Sequence, residues 1–130
     1  MPVVSNTSPL QYLHQTDTLF VLPKLFDRIE VPEAVVDEIR AGLSRGVSLP
    51  DIGGLPWVDV HEVSDRGTLS LVTRLGRGET EVLALGLERA DPLLLLDDRD
   101  ARRHAQALGL RVTGTLGILI LAKERGILGE

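Results

Sequence analysis

The chain contains no cysteine. This excludes disulfides and thiol catalysis, and it fits a cytoplasmic location. Aromatic residues make up only 3% of the sequence, so there is no platform on which bases could stack. Lysine is confined to Lys24 and Lys123, and arginine carries the remaining positive charge. Arginine suits bidentate phosphate contacts, although a compositional bias explains the same preference. No apolar run approaches the ~20 residues of a membrane span. The longest lies around Ile118 to Ala122, so no membrane association is expected. Met1-Pro2-Val3-Val4 lacks the charged region of a signal peptide. His14, His61 and His104 show no metal-ligand spacing. Gly76-Arg77-Gly78 offers two glycines and does not directly follow a strand, so it is no phosphate loop. Ser5, Ser8 and the threonines have no evident histidine base, which argues against a Ser/His hydrolase.

What is present points to one domain over residues 1–130, with a hydrophobic fraction of 43% and a net charge of −5. That charge argues weakly against a large phosphate-binding surface. A carboxylate cluster that binds a divalent cation carries the same sign on paper, and the metal then reverses the local field.

Pro2 to Ser5 reads as a buried strand. Asn6-Thr7-Ser8-Pro9 is a helix start, with a polar cap and Pro at the first helical position. Leu10 to Phe26 gives one or two helices, broken near Thr16-Asp17-Thr18. Arg28 to Val31 is a strand, and Pro32 opens a helix with Val35, Val36, Ile39 and Leu43 on one side. Ser48 to Pro56 is a Gly- and Pro-rich loop. Trp57 to Val63 alternates like an edge strand. A helix is expected at Leu69 to Leu75 and another over Gly78 to Ala90. Leu93-Leu94-Leu95-Leu96 is apolar on both faces, as in the middle of a parallel sheet. Asp98 to Leu108 is a helix stopped by Gly109, Leu110-Arg111-Val112 a strand, and Leu116 to Arg125 the last helix. This alternation predicts an α/β fold with a mainly parallel sheet and helices on both faces.

Ligands of open α/β sheets sit beyond the carboxyl ends of the strands. Asp97-Asp98-Arg99-Asp100 emerges there, directly after the leucines. One of these aspartates could serve only as a helix cap. Asn6 ends the first strand, which is expected to be central and close to a later inner strand. A helical step of about 100° places Glu79 within the stripe Val82, Leu83, Gly86, Leu87, Ala90, and Glu81 and Glu88 on the opposite face. A helix dipole alone would also favour an acid at Glu79. Glu38 lies on the flank of its apolar stripe, while Glu33 and Asp37 read as solvated charges.

Val3-Val4-Ser5-Asn6-Thr7-Ser8-Pro9-Leu10 resembles the opening of a PIN domain, in which Asp usually stands at the Asn6 position. Val31 to Ile39 resembles the family's second block, Gly78 to Leu85 the third, and Leu95 to Arg102 the fourth. Gly114-Thr115-Leu116-Gly117 is similar to a prokaryotic subgroup often encoded in toxin–antitoxin-like loci. The likeness runs from Val3 to about Leu128. It implies a three-layer α/β/α fold around a parallel sheet of about five strands. It also implies Mg²⁺- or Mn²⁺-dependent RNA cleavage, as in VapC-type toxins held by a small antitoxin, and often a homodimer. It assigns Asp98 and Glu38 as metal ligands. Glu79 becomes a ligand or a water-orienting group, and Asp97 a ligand or its partner. Asn6 would be an uncharged ligand that weakens the site. Ser8, Arg99 and Arg102 are candidates for substrate contact, and Asp100 a lesser candidate ligand. Hard divalent cations do prefer such oxygen donors.

Asn6 also favours a competing reading, a non-catalytic module that binds RNA or protein. A receiver domain would need acids after the first strand and a lysine after a late strand. A haloacid-type phosphatase would need D-x-D where Asn6-Thr7-Ser8 stands.

Overall fold

The computed structural model describes residues 1–64 and 75–129. Its strands are β1 (Val3–Ser5), β2 (Ile29–Pro32), β3 (Val58–His61), β4 (Leu93–Leu95) and β5 (Arg111–Thr113). They form one sheet in the order β3-β2-β1-β4-β5, parallel throughout. The helices are α1 (Thr7–Gln15), α2 (Val21–Phe26), α3 (Glu33–Ser44), α4 (Arg77–Leu87), α5 (Arg99–Ala107) and α6 (Thr115–Glu124). Helix α4 touches α3 and α5, while α6 touches α1 and α2. The result is the three-layer α/β/α arrangement expected.

The strand order explains the sequence pattern. Strand β1 is central and pairs with β4 through Val3↔Leu93, Val4↔Leu94 and Ser5↔Leu95. Both are covered on both faces, and Val3, Val4, Leu94, Leu95 and Leu96 are all buried. Each such aliphatic side chain contributes about 1.5–3 kcal/mol through burial. Strand β3 lies at an edge as expected, but its burial does not follow the apolar–polar alternation, since Val60 is 48% exposed. Ser48 to Pro56 is a loop that includes one 3₁₀ turn, Ile52–Gly54.

Some local readings need correction. Asn6 is the N-cap of α1, which puts Pro9 at the third helical position rather than the first. Proline is tolerated there because first-turn N–H groups have no intrahelical acceptor. Helix α4 stops at Leu87, so Leu87 and Ala90 of the expected stripe are exposed. Leu43 is also exposed. Among the apolar residues between Leu10 and Phe26, Leu10, Leu13, Val21 and Leu22 are core, whereas Tyr12 and Phe20 are exposed. The helix expected at Leu69 to Leu75 falls almost wholly outside the described residues.

Candidate active site

The carboxyl end of the sheet gathers the acids. β2 runs directly into α3, β1 and β5 reach α1 and α6 through the single residues Asn6 and Gly114, and β4 reaches α5 through Leu96, Asp97 and Asp98. Asn6 donates its backbone N–H to Leu95 O at 3.0 Å, which extends the β1–β4 pairing by one residue. Leu96 N donates to Thr113 O at 3.0 Å and draws the end of β4 to the end of β5. An open cleft of about 440 Å³ results, lined by Asn6, Ser8, Glu38, Glu79, Asp97 and Asp98, together with Thr7, Gln11 and Tyr12. Asn6, Glu38, Glu79, Asp97 and Asp98 therefore line one cavity, although they come from four separate segments of chain, whereas Asp100, the lesser candidate ligand, does not line it.

Asn6 is 3% exposed, and its Oδ1 is a buried polar atom without a hydrogen-bond partner among the described residues. A cap residue would ordinarily offer that oxygen to the first turn of its helix. Here the side chain makes no capping bond, so the carboxamide faces elsewhere. A buried acceptor left unpaired costs about 1–3 kcal/mol, and such groups call for an explanation.

Glu38 stands exposed on α3, and its Oε2 accepts a 2.7 Å hydrogen bond from Thr7 Oγ1. Gly78, in the first turn of α4, completes the contact. A Cβ there would collide with Glu38 Oε1 and lie 3.0 Å from Asn6 Oδ1. The absence of a side chain at Gly78 thus lets these two oxygens share one corner. Glu79 is half-buried at the third position of α4. Its carboxylate folds back over Gly76, where a Cβ would sit 3.4 Å from both oxygens.

The two aspartates each cap a different helix. Asp98 is the N-cap of α5, its Oδ2 accepting from Ala101 N at 2.9 Å. Asp97 reaches across to α6, where Oδ1 accepts from Thr115 N and Oδ2 from Thr115 Oγ1, both at 2.7 Å. Capping therefore accounts for both carboxylates rather than for one. Helix N-termini stabilise the two negative charges. Asp98 keeps Oδ1 outside its cap, whereas both Asp97 oxygens are engaged. Among the described residues no three of His, Asp or Glu form a ready-made metal cage. The caps supply a physical reason: the acids reach one cleft but do not all turn toward one point.

The sequence places Glu81 on the face opposite the apolar stripe, yet that face is covered too, and Glu81 is only 7% exposed. Its Oε1 accepts from Ala34 N at 3.1 Å, and its Oε2 pairs with Arg77 Nε at 3.4 Å. Arg77 also contacts Asp37, Nη1 to Oδ2 at 3.0 Å, so Asp37 is an ion-pair partner although it is exposed. Both acids hold the guanidinium in its charged form. The clue available in the sequence was that α4 is apolar nearly all round, as a helix buried on most sides must be. Arg99 and Asp100 lie exposed in the first turn of α5, with Arg102 half-buried beside them. None of His14, His61 and His104 lines the cleft.

Fold and cleft together define a class: a parallel α/β domain that presents oxygen donors at the carboxyl ends of its inner strands. A family model described as PIN domain matches residues 2–130. The chain belongs to the PIN-domain family. PIN domains are in general nucleases that use divalent metals and act on nucleic acid. A comparison with curated proteins finds no match. No helix among the described residues is long and apolar enough to cross a membrane.

Proposed function

We propose that the protein is a Mg²⁺- or Mn²⁺-dependent endoribonuclease whose activity is attenuated by Asn6. The observation that carries this reading is the orphaned, buried Asn6 Oδ1, aimed into a corner it shares with Glu38. The donor set fits a hard cation, since it consists of an amide oxygen and carboxylates without nitrogen or sulfur. Asn6, Glu38 and Asp98 would hold the ion, with Glu79 as a further ligand or as the group that orients water. When bound, the ion would supply charge to stabilise the phosphoryl oxygens and would make water a better nucleophile.

The remaining chemistry belongs to the chain. Thr7 fixes the Glu38 carboxylate. Thr115 locks Asp97, which therefore acts as a rigid wall and outer partner. The Ser8 hydroxyl lines the cleft and can hydrogen-bond a substrate oxygen. Asn6 contributes an oxygen without charge, which weakens the hold on a dication compared with an aspartate. The same reading carries a small antitoxin and a second copy of the chain as partners. Leu116 and Ile120, exposed one turn apart on α6, support a protein contact there.

The test is cleavage of a mixed-sequence RNA with Mn²⁺ or Mg²⁺, with EDTA as the control. Cleavage by the wild type that falls to the EDTA baseline in Glu38→Gln and Asp98→Asn supports the proposal. Metal-independent cleavage, or equal activity in both variants, rejects it. RNA binding with no cleavage under any metal would favour the non-catalytic reading that Asn6 also permits.

A further inference from the structure

One face of α5 carries Arg99, Arg102, Arg103 and Gln106, at spacings that stack them along one side of the helix. With Asp97 they line a second open cavity, of about 420 Å³. Asp97 lines the acid cleft as well, so the two cavities meet at that residue. The junction is close: a Cβ on Gly114 would lie 2.8 Å from Asp97 Oδ1 and 3.2 Å from Arg102 Nη1.

Arg28, Arg77, Arg89 and Arg111 are each paired with an acid. Arg99, Arg102 and Arg103 have no acid partner among the described residues. Arg40, Arg45 and Arg125 are also without an ion pair among the described residues, and what sets this face apart is that three such arginines cluster on one side of a single helix. Three like charges on neighbouring turns repel one another. A fold of net charge −5 with acids to spare leaves them uncompensated. That arrangement suits a polyanion which supplies the missing charge on binding. Guanidinium forks match phosphate oxygens two at a time.

We infer that this face of α5 binds the sugar–phosphate backbone of single-stranded RNA and leads the strand to or from the acid cleft. The inference rests on the nuclease reading for where the cut falls, but the binding itself does not depend on cleavage. An acidic protein segment would also meet the charge requirement. The shared wall at Asp97 favours a strand that occupies both cavities at once.

The experiment measures affinity for a fluorescent single-stranded RNA in EDTA, where no cut occurs, across a range of salt. Each phosphate contact on a single strand contributes about 0.7 to the slope of log affinity against log salt. The triple variant R99Q/R102Q/R103Q is expected to lower that slope by about 2. It should leave Mn²⁺ binding and thermal stability close to those of the wild type, because Arg99 and Arg103 are exposed, Arg102 is half-buried, and none of the three has an acid partner to lose among the described residues. Arg45→Gln, at the far end of α3, is the control and should leave affinity and slope as they are. An unaltered slope and affinity in the triple variant overturns the inference. Two further outcomes separate the proposals. A wild type that cleaves RNA while the triple variant binds it equally well removes the α5 track and keeps the nuclease. A wild type that never cleaves, paired with a triple variant that loses RNA, removes the nuclease and keeps the track.

Discussion

Thr7 and Glu38 meet across 31 residues of sequence, the hydroxyl donating to Oε2 at 2.7 Å. The bond ties the start of α1 to the exposed face of α3 and limits where the Glu38 carboxylate can swing. Partners that orient a metal-ligating carboxylate typically matter by about 10–100-fold in metal affinity or activity. Thr7→Val keeps the shape and removes the donor. It is expected to weaken Mn²⁺ binding within that range, while Thr7→Ser restores it. Isothermal titration with Mn²⁺ alone checks this, and equal affinity in Thr7→Val would show the bond to be incidental.

Asn6→Asp restores the charge usual in this family. In the absence of metal, the new carboxylate would be buried beside Glu38, and two like charges in one corner oppose folding. With metal, the added attraction should exceed that cost. At about 4 Å two unit charges interact by roughly 4 kcal/mol near a protein surface. The expected outcome is a lower melting temperature in EDTA, recovered as Mn²⁺ is added, with metal affinity at least about tenfold tighter, equal to ~1.4 kcal/mol. A variant that melts like the wild type in both conditions would mean that Asn6 does not face the metal.

Gly78→Ala separates site from fold. Alanine is the better helix former by about 1 kcal/mol. Its Cβ, however, would occupy the space of Glu38 Oε1 and press on Asn6 Oδ1. Glu38 is flexible and exposed, so it will move aside and lose its bond to Thr7. Stability should hold or rise while metal binding and RNA cleavage fall. A parallel loss of melting temperature and activity would instead make Gly78 an ordinary packing position.

How much was legible in the sequence depended on the range of the contact. Leu93 to Leu96 announced an inner strand because burial on both faces leaves an apolar run. The acids after it marked the working end of the sheet because parallel strands place their carboxyl ends together. The resemblance then brought Glu38, Glu79, Asp97 and Asp98 to one cleft, where the structure also has them. Other features had no local signature. Asp97 caps α6, 18 residues onward, rather than its own helix, and periodicity does not show which helix an acid will cap. The burial of Glu81, on the face opposite the apolar stripe, was not visible because helix geometry gives a direction relative to neighbouring residues on α4, not the identity of what packs there. The acceptor it supplies to Ala34 comes from a helix 47 residues away.

The Arg28–Asp59 pair gives a pH prediction. Arg28 Nε donates to Asp59 Oδ2 at 2.8 Å and Nη2 to Oδ1 at 2.6 Å, pinning the edge strand β3 to the start of β2. The hydrogen bonds from Arg28 hold the Asp59 carboxyl below its usual range. A depressed folded-state pKa adds stability above the unfolded value, about 3.9, and that stability disappears as pH falls through the folded value. Asp59→Asn should therefore melt slightly below the wild type at neutral pH. The gap should close in acid below about pH 4, and salt should shrink it because the pair is at the surface. A gap that persists unchanged into acid would assign the effect to packing.

The Glu81 contact predicts which variants loosen the joint between α3 and α4. Ala34 is fully buried, and its N–H, in the first turn of α3, has no intrahelical acceptor. Glu81→Ala removes the acceptor found for it among the described residues, which should cost about 1–3 kcal/mol of stability. Glu81→Gln keeps an oxygen for Ala34 and loses only the charge facing Arg77. Since Arg77 is largely exposed and retains Asp37, that substitution should cost well under half as much. The site should respond as well, because Glu38 rides on α3 while Gly78 and Glu79 ride on α4. Glu81→Ala is therefore expected to weaken Mn²⁺ binding at a temperature where the protein is still folded, and Glu81→Gln to recover most of it. Chemical denaturation alongside metal titration of both variants checks this. Equal destabilisation by Gln and Ala would place the effect in the lost charge rather than in the Ala34 N–H.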